Sequence, residues 1–234
     1  MRAPQPVPAM RGLRIDSGDA TLAGDLVVSN ASRGLVVFAH GSGSSRRSPR
    51  NLLVAEQLQR AGLGTLLFDL LTPQEERVDA QTREFRFDIP LLARRLEGAT
   101  RWLDRQSSEA PMPLGYFGAS TGSAAALIAA AALGDRVAAV VSRGGRPDLA
   151  ASALPVVRAA TLLIVGGNDD GVIGLNEEAA RTLRCVHEVA IVPGATHLFE
   201  EPGTLEAVAD LAADWFTRYL GHPPAAQRHE RALS

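Results

Sequence analysis

Short unbroken apolar runs alternate with helix-period stretches along this 234-residue chain, and that alternation restricts the fold more than any other feature. A strand with one wet face alternates apolar and polar residues. An unbroken run instead suits a strand covered on both faces, as in a parallel sheet. Leu35-Val36-Val37-Phe38-Ala39 is such a run; Thr65 to Phe68, Pro113 to Phe117, Val137 to Val141 and Thr161 to Val165 read as further buried strands, and Val186 to Ile191 as a more polar one. Helices fall between them. Ser48-Pro49 offers an N-cap and a first-turn proline to a helix carrying Leu52, Ala55 and Leu58, which Gly62 can end. Asp88 and Pro90 start a helix with Leu92, Leu96, Ala99 and Leu103 on one face. Thr121 to Leu133 is a helix of small residues closed by Gly134, residues 173–183 form another, and the last buries Val208, Leu211, Ala212, Trp215 and Tyr219. Such repetition predicts a mostly parallel sheet with helices on both faces. Leu13 to Ser29, with Gly18-Asp19 at its turn, predicts an antiparallel hairpin ahead of it.

The domain reading is a flexible proline-rich segment at 1–10, one α/β domain over 11–220, and a frayed tail at 221–234. The net charge of −2 gives no global basic excess to hold nucleic acid or an anionic membrane. The one cysteine, Cys185, has no internal disulfide partner. The N-terminus has no apolar signal stretch, and the longest greasy run, Ala124 to Leu133, is too short to cross a bilayer. The expectation is a cytoplasmic protein bound to neither nucleic acid nor membrane, with self-association left open. No metal-ligand cluster is visible, and Gly41-Ser42-Gly43 lacks the lysine of a phosphate loop, so no cofactor is expected.

Gly118-Ala119-Ser120-Thr121-Gly122 sits between a predicted strand and a predicted helix. This G-x-S-x-G spacing suits a serine on a tight turn that lifts its hydroxyl above the sheet. Glycines two positions either side avoid collision with the neighbouring backbone. Serine is a weak nucleophile until a base takes its proton and an acid orients that base. On such turns the chain order is serine, acid, histidine. The loop after Val165 supplies Asp169 and Asp170, and the loop after Ile191 supplies His197. Of the other histidines, His40 precedes the serine, His187 lies in a predicted strand, and His222 and His229 lie in the predicted tail. Asp169 is the favoured acid, Asp170 is its alternative, and Asp148 reads better as a helix cap. A tetrahedral intermediate needs two preorganised donors for its oxyanion. The backbone N–H groups of Thr121 and Ser42 are the candidates, Ser42 lying in the His40-Gly41-Ser42-Gly43-Ser44 loop after the first buried strand.

With these motifs the chain resembles the dienelactone-hydrolase-like group of the α/β-hydrolase superfamily, as a serine-nucleophile member. The resemblance rests on His40-Gly41-Ser42-Gly43, Gly118 to Gly122, Gly166 to Val172 and Gly194 to His197. It implies an α/β-hydrolase fold with a central sheet of about eight strands and hydrolysis of a small ester through an acyl-enzyme on Ser120. The group's acid loop, G-x-x-D-x-x-V, is matched by Gly166, Asp169 and Val172, which favours Asp169. Dienelactone hydrolase itself uses a cysteine nucleophile, so a carboxylesterase acting on short soluble esters is the closer expectation. Acyl transfer, lactone or peptide hydrolysis with the same three residues, and a non-catalytic binding protein on this scaffold, are the alternatives.

The only long polar connection, Leu70 to Phe87, carries little apolar material, so no large lid is expected. Arg46, Arg47 and Arg50 flank the Ser42 loop, and Arg143 and Arg146 follow another strand. They read either as attractors of an anionic substrate or as surface charges paired with carboxylates.

Overall fold

A computed structural model describes residues 10–106 and 111–221. Residues 1–9 and 222–234, which hold most of the two expected flexible ends and both His222 and His229, lie outside them. Within the described residues one sheet of eight strands runs β1 Arg11–Asp16, β2 Thr21–Val27, β3 Leu35–Ala39, β4 Gly64–Phe68, β5 Leu114–Ala119, β6 Val137–Arg143, β7 Ala160–Gly166 and β8 His187–Val192. Its spatial order is β1-β2-β4-β3-β5-β6-β7-β8. β1 and β2 form the expected antiparallel hairpin, and β2 joins β4 antiparallel. Every other pairing is parallel.

The unbroken runs are buried on both faces because helices cover both. The described residues hold six α-helices, α1 Pro49–Arg60, α2 Pro73–Thr82, α3 Ile89–Gln106, α4 Thr121–Leu133, α5 Asp170–Thr182 and α6 Thr204–Leu220, and all but α2 pack on the sheet. One core lies under α3, α4 and α5, where Leu92, Leu96, Leu127 and Ala179 meet Val37, Tyr116 and Val140. The other lies under α1 and α6, where Val54, Leu58, Val208 and Phe216 meet Val36, Phe117 and Val141. Helix α4 carries alanine where an amphipathic helix would carry polar residues, because it is enclosed nearly all round. The Phe38 and Phe117 rings, opposite each other in adjacent strands, lie 5.0 Å apart.

Three differences from the sequence expectation affect the site. β5 and β6 each run two residues further than their apolar runs, so Ser142 and Arg143 belong to the strand. Helix α5 starts at Asp170 rather than 173. The polar connection holds a whole helix, α2. Its reciprocal cap joins Thr72 Oγ1 to the Glu75 N–H at 3.2 Å and Glu75 Oε2 to the Thr72 N–H at 2.7 Å. Arg95, buried on α3, then ties Glu75 to Asp19 at 2.7 and 2.9 Å. The polar residues of α2 hold it through caps and ion pairs instead of a greasy face, and no large lid is seen among the described residues. No helix among the described residues is long and apolar enough to cross a membrane.

Candidate active site

The carboxyl ends of β3, β5, β7 and β8 converge on one rim, as expected for an open α/β sheet. Ser120, directly after β5, has φ 50° and ψ −119°, a strained conformation for a residue with a Cβ. The flanking glycines explain how that turn survives. A Cβ on Gly122 would sit 2.1 Å from the Ala39 carbonyl oxygen, and one on Gly118 would sit 2.5 Å from Ser123 Cα. The Ser120 N–H donates to the Arg143 carbonyl at 3.1 Å, and Ser123 Oγ donates to the Gly118 carbonyl at 2.8 Å. The turn is thus pinned to β6 on one side and to its own helix on the other.

The loops after β7 and β8 are bound to each other. The Asn168 N–H donates to the Ala195 carbonyl at 2.9 Å, and its side-chain amide to the Gly194 carbonyl at 3.0 Å. Thr196 is held by Glu201 through its N–H at 3.0 Å and its hydroxyl at 2.6 Å. These contacts present His197 between Asp169 and Ser120. Its Nδ1 lies 2.7 Å from Asp169 Oδ2, and its Nε2 lies 3.3 Å from Ser120 Oγ. An ionised carboxylate can only accept, so Nδ1 carries the ring proton and Nε2 presents a lone pair to the serine hydroxyl. Gly144, at φ 51°, lies along the imidazole, where a Cβ would come within 3.5 Å of Nδ1. Asp170, the alternative acid, opens α5 with an exposed side chain that makes no hydrogen bond to the imidazole. Asp148 is taken by Arg146 in a two-bond pair at 2.8 and 2.7 Å.

The two expected oxyanion donors stand differently. Thr121 is the first residue of α4, so its N–H has no helical acceptor behind it. The Ser42 N–H is engaged, donating to Thr121 Oγ1 at 3.0 Å. The sequence reading missed this clasp, because it treated Thr121 as a backbone donor alone. It also set His40 aside as a rival base, without a role. His40 is buried, accepts from the Leu70 N–H at Nε2 (3.1 Å) and donates from Nδ1 to the Gly41 carbonyl at 3.0 Å. Burial holds its pKa below the usual histidine value, so it stays neutral and braces the Ser42 loop. His187 is exposed and bonds the Cys185 carbonyl at 2.9 Å. Cys185 is half-buried, and that burial pushes its thiol pKa up.

The arginines divide. Arg46 is bound by Asp25 and Asp69, and Arg146 by Asp148, which is the paired-surface reading. Arg47 and Arg50 line a cleft of about 540 Å³ that runs along the Ser42 to Ser45 loop and also meets Glu76 and Arg86. In that cleft Arg86 is bound by Asp79 at 2.5 Å. Burial, then the charge of Asp69, raises the Glu76 pKa above the usual carboxylate value. Among the described residues no group of three or more His, Cys, Asp or Glu side chains is placed to hold a metal ion.

Comparison with known proteins gives the family and the fold. The model of the dienelactone hydrolase family matches residues 22–221. The crystal structure of dienelactone hydrolase from Anabaena variabilis is 58% identical and superposes with a TM-score of 0.89, over 91% of this chain and 99% of that one. Est1E from Butyrivibrio proteoclasticus shares the fold at 14% identity, with a TM-score of 0.74 over 90% of this chain and 99% of that one. Proteins from two strains of Mycobacterium tuberculosis, provisionally named phosphoribosyl transferases, are 57% identical over 211 residues, which is 90% of this chain and 47% of theirs. The chain therefore spans about half the length of the curated relatives it matches.

Proposed function

The chain belongs to the dienelactone hydrolase family, and from that premise we propose that it is a serine hydrolase of carboxylic esters, acting through an acyl-enzyme on Ser120. The observation that carries this reading is the Asp169–His197–Ser120 relay, with contacts of 2.7 and 3.3 Å joining residues far apart in sequence. Ser120 Oγ attacks the ester carbonyl carbon while His197 Nε2 takes its proton. Asp169 holds the ring tautomer and stabilises the imidazolium that forms. The tetrahedral oxyanion takes the free N–H of Thr121. The N–H of Ser42 joins it when the Thr121 hydroxyl turns away, a single-bond rotation. His197 returns the proton to the leaving alcohol, and a water activated by the same imidazole then releases the acid.

Short soluble esters suit the site better than long acyl chains, since the cleft beside it is lined by serines, arginines and a glutamate. The transferase name of the mycobacterial relatives belongs to proteins about twice the length of the matched segment. The serine, histidine and aspartate of this chain favour acyl transfer to water. Hydrolysis of p-nitrophenyl butyrate and labelling by a fluorophosphonate probe test the proposal, and both should vanish in Ser120→Ala. Labelling that persists in that variant, or a wild-type protein inert to both reagents, overturns it.

A further inference from the structure

The chain leaving β6, residues 143–146, grips two members of the relay. The Arg143 carbonyl accepts the Ser120 N–H at 3.1 Å, and the Arg146 N–H donates to the Ser120 carbonyl at 3.3 Å, so the nucleophile is held by both its own peptide groups. Gly144 donates its N–H to the Ile164 carbonyl at 2.8 Å and lies along the His197 ring. Gly145 is wedged in place: a Cβ there would sit 1.9 Å from Ser142 Oγ and 2.9 Å from Ser123 Oγ, in the first turn of α4. These contacts belong to the backbone. Arg143 Nε and Nη1 are buried with no hydrogen-bond partner among the described residues, and the Arg146 side chain is taken by Asp148.

One side chain ties the third member to this segment. Asp169 immediately precedes α5, and Asn176, in the second turn of that helix, is fully buried. Its amide nitrogen donates to the Gly145 carbonyl at 3.1 Å and to the Val172 carbonyl, one turn back on α5, at 2.8 Å. Two carbonyls fix the amide's orientation, because only its NH2 can face them. Its Oδ1 is left buried with no hydrogen-bond partner among the described residues. A buried acceptor in that state destabilises a fold, and leucine, with the same branching, would avoid it. What asparagine supplies and leucine cannot is the bond to Gly145. We propose that Asn176 is a positioning residue for ester hydrolysis: by locking α5 to the 143–146 segment it sets the Asp169 carboxylate in register with the His197 ring and the Ser120 turn. The reaction it serves rests on the serine-hydrolase reading; the placement of the imidazole can be measured without it.

Asn176→Leu keeps the branched shape and removes both donors. In that variant kcat for p-nitrophenyl butyrate should fall about 10- to 100-fold while KM changes less than about threefold, because a small displacement disturbs the reacting atoms more than the bound ester. The nitrogen-15 shift of His197 Nδ1, which reports its 2.7 Å contact with Asp169, should move as well. Leu58→Ala is the comparison. It truncates the core under α1 beside Leu63, at the end of the sheet where β4 begins, and should lower the thermal midpoint while leaving kcat and the Nδ1 shift as in wild type. Activity within threefold of wild type in folded Asn176→Leu, an unmoved Nδ1 shift, or a loss that Leu58→Ala reproduces, overturns the proposal. Asn176→Ala replaces the leucine variant if that one does not fold, and failure of both to fold makes Asn176 a residue of the fold alone, which also overturns it. A wild type inert to the ester, with an Nδ1 shift that still moves in Asn176→Leu, would refute the serine-hydrolase reading and support the positioning role.

Discussion

Replacing Asp169 by asparagine tests the relay with the least disturbance to the fold. The side chain keeps its size, and its one hydrogen bond is to His197 Nδ1, at 2.7 Å. Adding about an ångström to reach the charge centres puts carboxylate and imidazolium about 3.7 Å apart. At an effective dielectric of about 20 they attract by about 4.5 kcal/mol, equivalent to about 2,000-fold in rate. The imidazole side chain is 38% exposed, so water screens part of that attraction. The amide acts in the opposite sense: by donating to Nδ1 it moves the ring proton to Nε2, where it blocks transfer from the serine. The expected result is a fall of about 1,000-fold in kcat for p-nitrophenyl butyrate, with an unchanged thermal midpoint. Asp170→Asn is the paired control and should stay within about threefold of wild type, because that side chain is exposed on α5. Nitrogen-15 shifts of the imidazole should report the tautomer change. If Asp169→Asn keeps more than a tenth of the activity, or Asp170→Asn loses more than a hundredfold, the electrostatic argument is wrong.

Gly122→Ala should destabilise the protein by more than about 3 kcal/mol or prevent folding, since the new Cβ would lie 2.1 Å from the Ala39 carbonyl oxygen. Gly174→Ala, in α5 with open space around it, should be neutral or stabilising by up to about 1 kcal/mol. Urea midpoints compare the two, and equal effects would refute the crowding argument. His40 predicts a pH dependence. Its folded pKa lies below the unfolded value of about 6.5, so below that pH the unfolded state binds the extra proton and stability falls as pH drops. Its contribution to the slope is at most about 1.4 kcal/mol per pH unit, and thermal midpoints measured from pH 7 to pH 5 should fall less steeply in His40→Gln. An identical slope in both proteins would contradict a neutral buried imidazole.

Most of this architecture was written locally. Runs such as Leu35 to Ala39 can satisfy their side chains only when covered on both faces, so their number and spacing determined the parallel sheet. The G-x-S-x-G spacing carried the turn at Ser120, because glycine alone avoids the backbone contacts at positions 118 and 122. The order of Ser120, Asp169 and His197 along the chain was equally legible. Helix α2 was readable in principle from Thr72-Pro73-Gln74-Glu75, a capping signature that a search for apolar periodicity passes over. Tertiary structure decided what depends on distance between remote residues. Asp169 and Asp170 are adjacent in sequence, and only the docking of the β7 and β8 loops selects which carboxylate meets the imidazole. The engagement of the Ser42 N–H by Thr121, the bracing of its loop by His40, and the pairing of Arg46 and Arg146 but not Arg143 are likewise invisible in sequence. Hydrogen bonds and ion pairs act over a few ångströms, and residues such as Arg46 and Asp69 reach that range only when separate strands pack side by side.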